Sequence, residues 1–175
     1  MKDNYIDTLI KHNWLFKNND KIIDRVQANN YAENKLEKVD DSFFSFINEY
    51  KLLTNESDDV WFIPINEYSI KTKDEDEFSW NDFEIESLEY ADDEDEKKEI
   101  TNFWNNHLPF LFSVKDGYSY IALIIDGENK GKIAHGREPE YEDIEIVSDS
   151  FDEFRKSHIA YLKDGKQNSF LSNFL

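Results

Sequence analysis

Four short β-type runs late in the chain, separated by turns of a few residues, constrain the fold more than any other feature. Phe110 to Val114 is followed by the turn Lys115-Asp116-Gly117. Tyr118 to Ile125 is apolar on both faces, the pattern of a central strand. Asp126 to Gly131 makes a second turn with two glycines. Lys132-Ile133-Ala134-His135 and Ile144-Glu145-Ile146-Val147 read as the next two strands. A parallel crossover needs about a dozen residues or more, so strands joined this tightly are antiparallel neighbours. A helix should follow. Ser150 and Glu153 have capping-box spacing, Phe151, Phe154, His158 and Leu162 share a face with Ile159 beside it, and Gly165 is placed to end it.

The region from Met1 to Tyr50 reads as helices. Tyr5, Ile6, Leu9 and Ile10 have helical spacing behind Asp3 as a cap, and Ile22, Ile23 and Val26 suggest a second short helix. The clearest helix runs from Ser42 to Tyr50, with Phe43, Phe44, Ile47 and Tyr50 on one face and Asp41 or Ser42 as N-cap. Between Leu52 and Asn106 a strand, Val60-Trp61-Phe62-Ile63, is followed by two acidic stretches, Asp74 to Glu77 and Asp92 to Glu96. Glu94 to Asn105 is predicted to be a helix burying Ile100, Phe103 and Trp104, its acidic first turn matching the helix dipole. Helices, then an antiparallel meander, then a closing helix is an α+β layout, with N-terminal helices and a C-terminal helix packed on the sheet. A chain of 175 residues fits one domain, 1–175.

The chain holds 14 Phe, 9 Tyr and 4 Trp, enough large apolar surface to build a core despite the high charge. There is no cysteine, which removes disulfides and thiolate metal sites. Met1-Lys2-Asp3-Asn4 lacks the apolar core of a signal peptide, and the Tyr120 to Ile125 run is too short to cross a bilayer, so the expected location is the cytoplasm and no membrane partner is expected. The formal net charge is −19, well beyond the roughly 2–8 charges that keep a small domain soluble. Such a charge repels nucleic acid and anionic membranes and attracts basic proteins, although a solvated surface can also accumulate it without a partner.

No catalytic motif stands out. Gly131 and Gly136 have the outer spacing of a phosphate loop, but Arg137-Glu138 follows where Lys-Ser/Thr is required. His12, His107, His135 and His158 are scattered, and none pairs at a spacing that brings two imidazoles to one metal. Asp92 to Glu96 lacks the glycine and the spaced terminal Glu of a calcium loop. No cofactor and no metal site is expected, and without a basic, aromatic-studded patch neither is nucleic-acid binding. What remains is aromatic residues set among acids, best seen in Phe78-Ser79-Trp80-Asn81-Asp82-Phe83-Glu84. Two readings compete. Trp80 and Phe83 pack inward as ordinary core, or Trp80 is a surface anchor towards which carboxylates steer a basic partner. On the second reading the contact residues are Asp74, Glu75, Asp76, Glu77, Trp80, Asp82 and Glu84.

Several motifs resemble the SUKH superfamily, which includes the Smi/Knr-like cell-wall-assembly regulators and many bacterial immunity proteins. Ser148-Asp149-Ser150-Phe151-Asp152-Glu153-Phe154 is similar to that family's last strand and its "A-x-S-F-x-E-F" helix. Leu108-Pro109-Phe110, Gly117 and Tyr120-Ile121-Ala122-Leu123 are similar to its "lPf…G…ialD" strand pair, with Asp126 at the acidic position and Gly131-Lys132-Ile133 at the "G-x-V" strand start. Asp41 to Tyr50 resembles its "P-x-S-F-x-x-F-L-x-x-Y-N-G" helix without the flanking Leu-Pro and Asn-Gly, and Trp61 to Tyr68 its next strand. The likeness spans about 41–162, with about 71–100 as an acidic insertion. It implies a non-enzymatic α+β protein. Bacterial members bind and neutralise polymorphic toxins, often nucleases, whose phosphate-binding surfaces are basic. The resemblance therefore implies an immunity protein with a basic toxin domain as partner. A Smi/Knr-like scaffold binding a cellular protein is the nearest alternative, and a carboxylate- or metal-dependent hydrolase the more distant one. Oligomeric state is left open by the sequence.

Overall fold

The computed structural model describes residues 4–69, 78–165 and 169–175. The fold is α+β: seven antiparallel strands in sequential order form one sheet, and helices lie on it. Helix α1 (Asn4–Lys11) buries Tyr5, Ile6 and Leu9. It leads into β1 (Leu15–Asn18), an edge strand in a region the sequence reads as all helix. The helix expected at Ile22, Ile23 and Val26 does not form. Only Ile23 is buried, while Ile22 and Val26 are 66% and 81% exposed. The reason is local competition. The side chain of Asn48 accepts from the Ile23 N–H at 3.0 Å and donates to the Ile23 carbonyl, taking backbone groups that a helix would use.

A 3-10 segment, Tyr31–Lys38, precedes α2 (Asp41–Asn48). The α2 cap is Asp40, one residue before the expected Asp41 or Ser42, and its carboxylate accepts from the Phe43 N–H at 2.8 Å. Tyr50 starts β2 (Tyr50–Thr54) instead of closing the helix. β3 (Val60–Phe62) and a 3-10 turn, Ile65–Ser69, come next. Helix α3 (Asp82–Tyr90) and helix α4 (Glu94–Asn105) follow, the latter capped by Asp93, which accepts from Asp95 and Glu96 N–H groups, each at 2.9 Å. The meander is β4 (His107–Ser113), β5 (Ser119–Ile124), β6 (Ile133–Arg137) and β7 (Glu140–Ser148). The last strand begins four residues before the predicted Ile144.

Helix α5 (Phe151–Asp164) starts and stops where predicted. The Ser150 hydroxyl accepts from the Glu153 N–H at 3.1 Å, and Gly165, at φ +56°, takes the left-handed conformation that glycine adopts without steric penalty. The Glu153 carboxylate pairs with Lys156 at 2.7 Å, so only one half of the capping box forms. A short α6 (Ser169–Phe174) was not visible in the sequence pattern.

Both sheet faces are covered. On one, Phe62 and Phe110 meet Tyr5, Phe43, Phe46, Phe151 and Phe154 from α1, α2 and α5. On the other, Phe112 and Tyr120 meet Phe83 of α3, and Tyr120 also meets Trp104 of α4. His158 is fully buried and its Nδ1 lies 2.7 Å from the Tyr5 hydroxyl, tying α5 to α1 as a structural residue. Among the described residues, no helix is long and apolar enough to cross a membrane.

Candidate protein-binding surface

Of the contact residues suggested by sequence, Asp74, Glu75, Asp76 and Glu77 lie outside the described residues. The other three point to structural duties. Trp80 is only 4% exposed, beside Tyr68, with the Lys35 Nζ 5.1 Å from its ring centroid. The indole therefore packs inward, as the first of the two readings has it. Asp82 accepts from the Ser79 N–H at 2.7 Å and so fastens the entry to α3. Glu84 sits 3.7 Å from Lys35 Nζ, and both side chains are nearly buried. Burial raises the Glu84 pKa against the pull of Lys35, and burial lowers the Lys35 pKa against the pull of Glu84. Asp82 and Glu84 therefore each have a partner within the fold, and both are only partly accessible.

The acids are unevenly distributed along the chain. Residues 1–30 hold five basic and four acidic side chains, so the remaining 145 carry all the excess, 35 acids against 15 bases. Two segments dominate: 82–99 has ten acids and two lysines, and 138–149 has six acids and no lysine or arginine, a combined −14. The fold brings them together. The Tyr141 hydroxyl of β7 donates to Glu86 of α3 at 3.2 Å, and the Trp104 indole N–H of α4 donates to Glu142 of β7 at 2.6 Å. Tyr141 stacks on Phe83 with centroids 4.4 Å apart. Burial first, then Glu86, pushes the Tyr141 phenol pKa well up, which keeps it a neutral donor. β1 and β7 are opposite sheet edges; residues 1–30, which include β1, are nearly neutral, whereas the segments that form α3, α4 and β7 are strongly anionic.

A groove of about 380 Å³ runs between α3, α4 and β7, with Tyr90 and Phe103 as apolar lining and Glu96, Glu99, Glu140 and Glu142 around them. Tyr90 is 77% exposed there. The arrangement suits a lysine or arginine side chain, whose apolar stem can lie on the rings while its head reaches carboxylates. The sequence pattern predicts β7 only from Ile144, and the structure extends the strand back to Glu140. Its signal was four acids in six residues adjoining a strand, a density tolerated at a solvated edge. Among the described residues, no group of three His, Cys, Asp or Glu side chains is placed to hold a metal ion.

No protein-family model matches the sequence, and no curated protein matches it.

Proposed function

We propose that this chain is a non-catalytic, cytoplasmic binding protein of the SUKH type that docks onto a basic toxin domain, most simply a nuclease, and blocks it. One observation carries the reading: segments 82–99 and 138–149 carry a combined −14, and hydrogen bonds join their elements α3, α4 and β7. A charge spread by drift would have no reason to leave residues 1–30 nearly neutral. A focused anionic wall attracts a basic protein over long range and accelerates its association, with strong dependence on ionic strength. A nuclease surface built to hold phosphates offers the complementary sign.

The test is coexpression with the toxin encoded beside this gene. Rescue of growth, with a complex that forms fast at low salt and more slowly as salt rises, supports the proposal. No rescue together with no complex at low salt rejects it. A carboxylate-based hydrolase would use the same groove, and a purified chain that turned over substrate with Glu99 or Glu140 essential would favour that alternative instead.

A further inference from the structure

Resting on the binding role proposed above, we infer that the open edge of β7 receives an extended, lysine- or arginine-bearing segment of the partner as an added antiparallel or parallel strand. β7 is the last strand of the sheet and has β6 on one side only. It is nine residues long, against four for β1 at the other edge. Such an edge presents unpaired backbone N–H and C=O groups, and proteins usually shorten or cover it. Here Ile146 is left 40% exposed in the β-prone run Ile144-Glu145-Ile146-Val147.

The surroundings suit strand addition. Side chains of an added strand alternate between the two faces of the sheet. A groove borders β7 on each face. One is the α3–α4 groove with Tyr90, Phe103 and Glu99. The other, also about 380 Å³, lies towards α6 and is lined by His135, Glu145 and Phe170. Each pairs an aromatic ring with carboxylates; Arg137 also lines the second groove, so the α3–α4 groove is the better fit for a long cationic side chain of the incoming strand. The pairing with β6 shifts register between Ile133 and Ala134 and between His135 and Arg137, so β7 is bulged between Glu140 and Glu145.

Charge selects the occupant. A second copy of this chain would set Glu140, Glu142, Asp143 and Glu145 against the same four residues, and like charges facing each other across strands are destabilising. A basic strand meets no such penalty. Backbone bonds then supply affinity and the acids supply selection.

The experiment uses the intact protein and two synthetic nine-residue peptides of alternating valine and lysine, one with free backbone amides and one N-methylated at every internal amide. Both have the same charge, but only the first can extend the sheet. The expected result is at least about tenfold tighter binding of the unmethylated peptide, since loss of two or three net hydrogen bonds accounts for that factor or more. Amides within 142–147 should exchange more slowly in its complex. Equal affinities, or protection confined to α3 and α4, overturn strand addition and leave the anionic wall as a purely electrostatic surface. Failure of both peptides to bind at low salt also overturns it. The toxin-binding reading falls separately, by the coexpression result.

Discussion

The Lys35–Glu84 pair tests whether the anionic wall is held in place by a buried charge. The Lys35 side chain is 4% exposed and Glu84 12%, with Nζ and carboxylate 3.7 Å apart and no closer hydrogen-bond partner for Nζ among the described residues. The pair links the 3-10 segment Tyr31–Lys38 to α3. Both shifts run against charge. A raised Glu84 pKa contributes stability below its unfolded value, lost as pH rises; a lowered Lys35 pKa contributes only as pH climbs towards 10.5. At pH 7 both groups therefore cost stability, and the pair is tolerated because each offsets the other. Glu84→Gln should strand the cation and cost about 3–5 kcal/mol. The ceiling is the roughly 5 kcal/mol needed to deprotonate a lysine of ordinary pKa 10.5 at pH 7. With a urea m-value of about 2 kcal/mol/M, the midpoint should fall by roughly 1.5–2.5 M. The double variant Lys35→Met, Glu84→Leu should unfold at or above the wild-type midpoint, because two apolar side chains replace two desolvated charges. Urea melts of the wild type, Lys35→Met, Glu84→Leu and the double variant at pH 7 complete the cycle, with Glu84→Gln measured beside them. A Glu84→Gln midpoint within about 0.3 M of wild type would refute the reasoning, since Lys35 would then not depend on Glu84.

Three other outcomes are expected. Burial, with a smaller contribution from His12, pushes the His158 pKa down to about 3. A depressed pKa gives stability that is complete above the unfolded value near 6.5 and is lost as pH falls towards 3, by up to roughly 5 kcal/mol, so His158→Gln should flatten the difference between melts at pH 6.5 and 4. Gly136→Ala would place a Cβ 2.5 Å from Tyr120 ring atoms, beneath the hydroxyl that donates to the Tyr141 carbonyl, and should cost about 1–3 kcal/mol in thermal unfolding while loosening β7. Neutralising Asp74, Glu75, Asp76 and Glu77 should slow association with a basic partner and reduce its salt dependence if that segment belongs to the wall, and stopped-flow mixing at two salt concentrations reads this directly.

What could be read from the sequence depended on how local the deciding interactions were. The α5 boundaries were legible because the Ser150 hydroxyl and Gly165 act within one turn of themselves. The order β4 to β7 was legible because short turns leave one arrangement open. The missing helix at Ile22 was not, because Asn48, 25 residues away, takes the Ile23 backbone groups. Nor was β2, since Tyr50 continues the apolar face of α2 in sequence while its hydroxyl donates to the Ile63 carbonyl in the fold. Trp80 could be core or anchor on sequence alone. Burial beside Lys35, 45 positions earlier, decides for core.

The same distinction applies to the acidic surface of α3, α4 and β7. Runs of like charge catch the eye when they are contiguous, and the contiguous runs at 74–77 and 92–96 drew attention first. The wall is assembled from pieces that are far apart in the chain, 82–99 and 138–149, through Tyr141 to Glu86 and Trp104 to Glu142. Each bond ties an aromatic with a buried body to a carboxylate at the rim, so the core aromatics fix where the charges stand. The high aromatic content and the high acidity are thus one design. Repulsion among the acids of these segments would spread them apart, and rings anchored in the sheet hold them in register. It follows that replacing the Trp104 indole by benzothiophene, which keeps the bicyclic ring and removes the N–H, should leave the core intact and still free Glu142 from its place. Partner on-rate should then drop more than stability does, whereas equal losses would mean the indole serves packing alone.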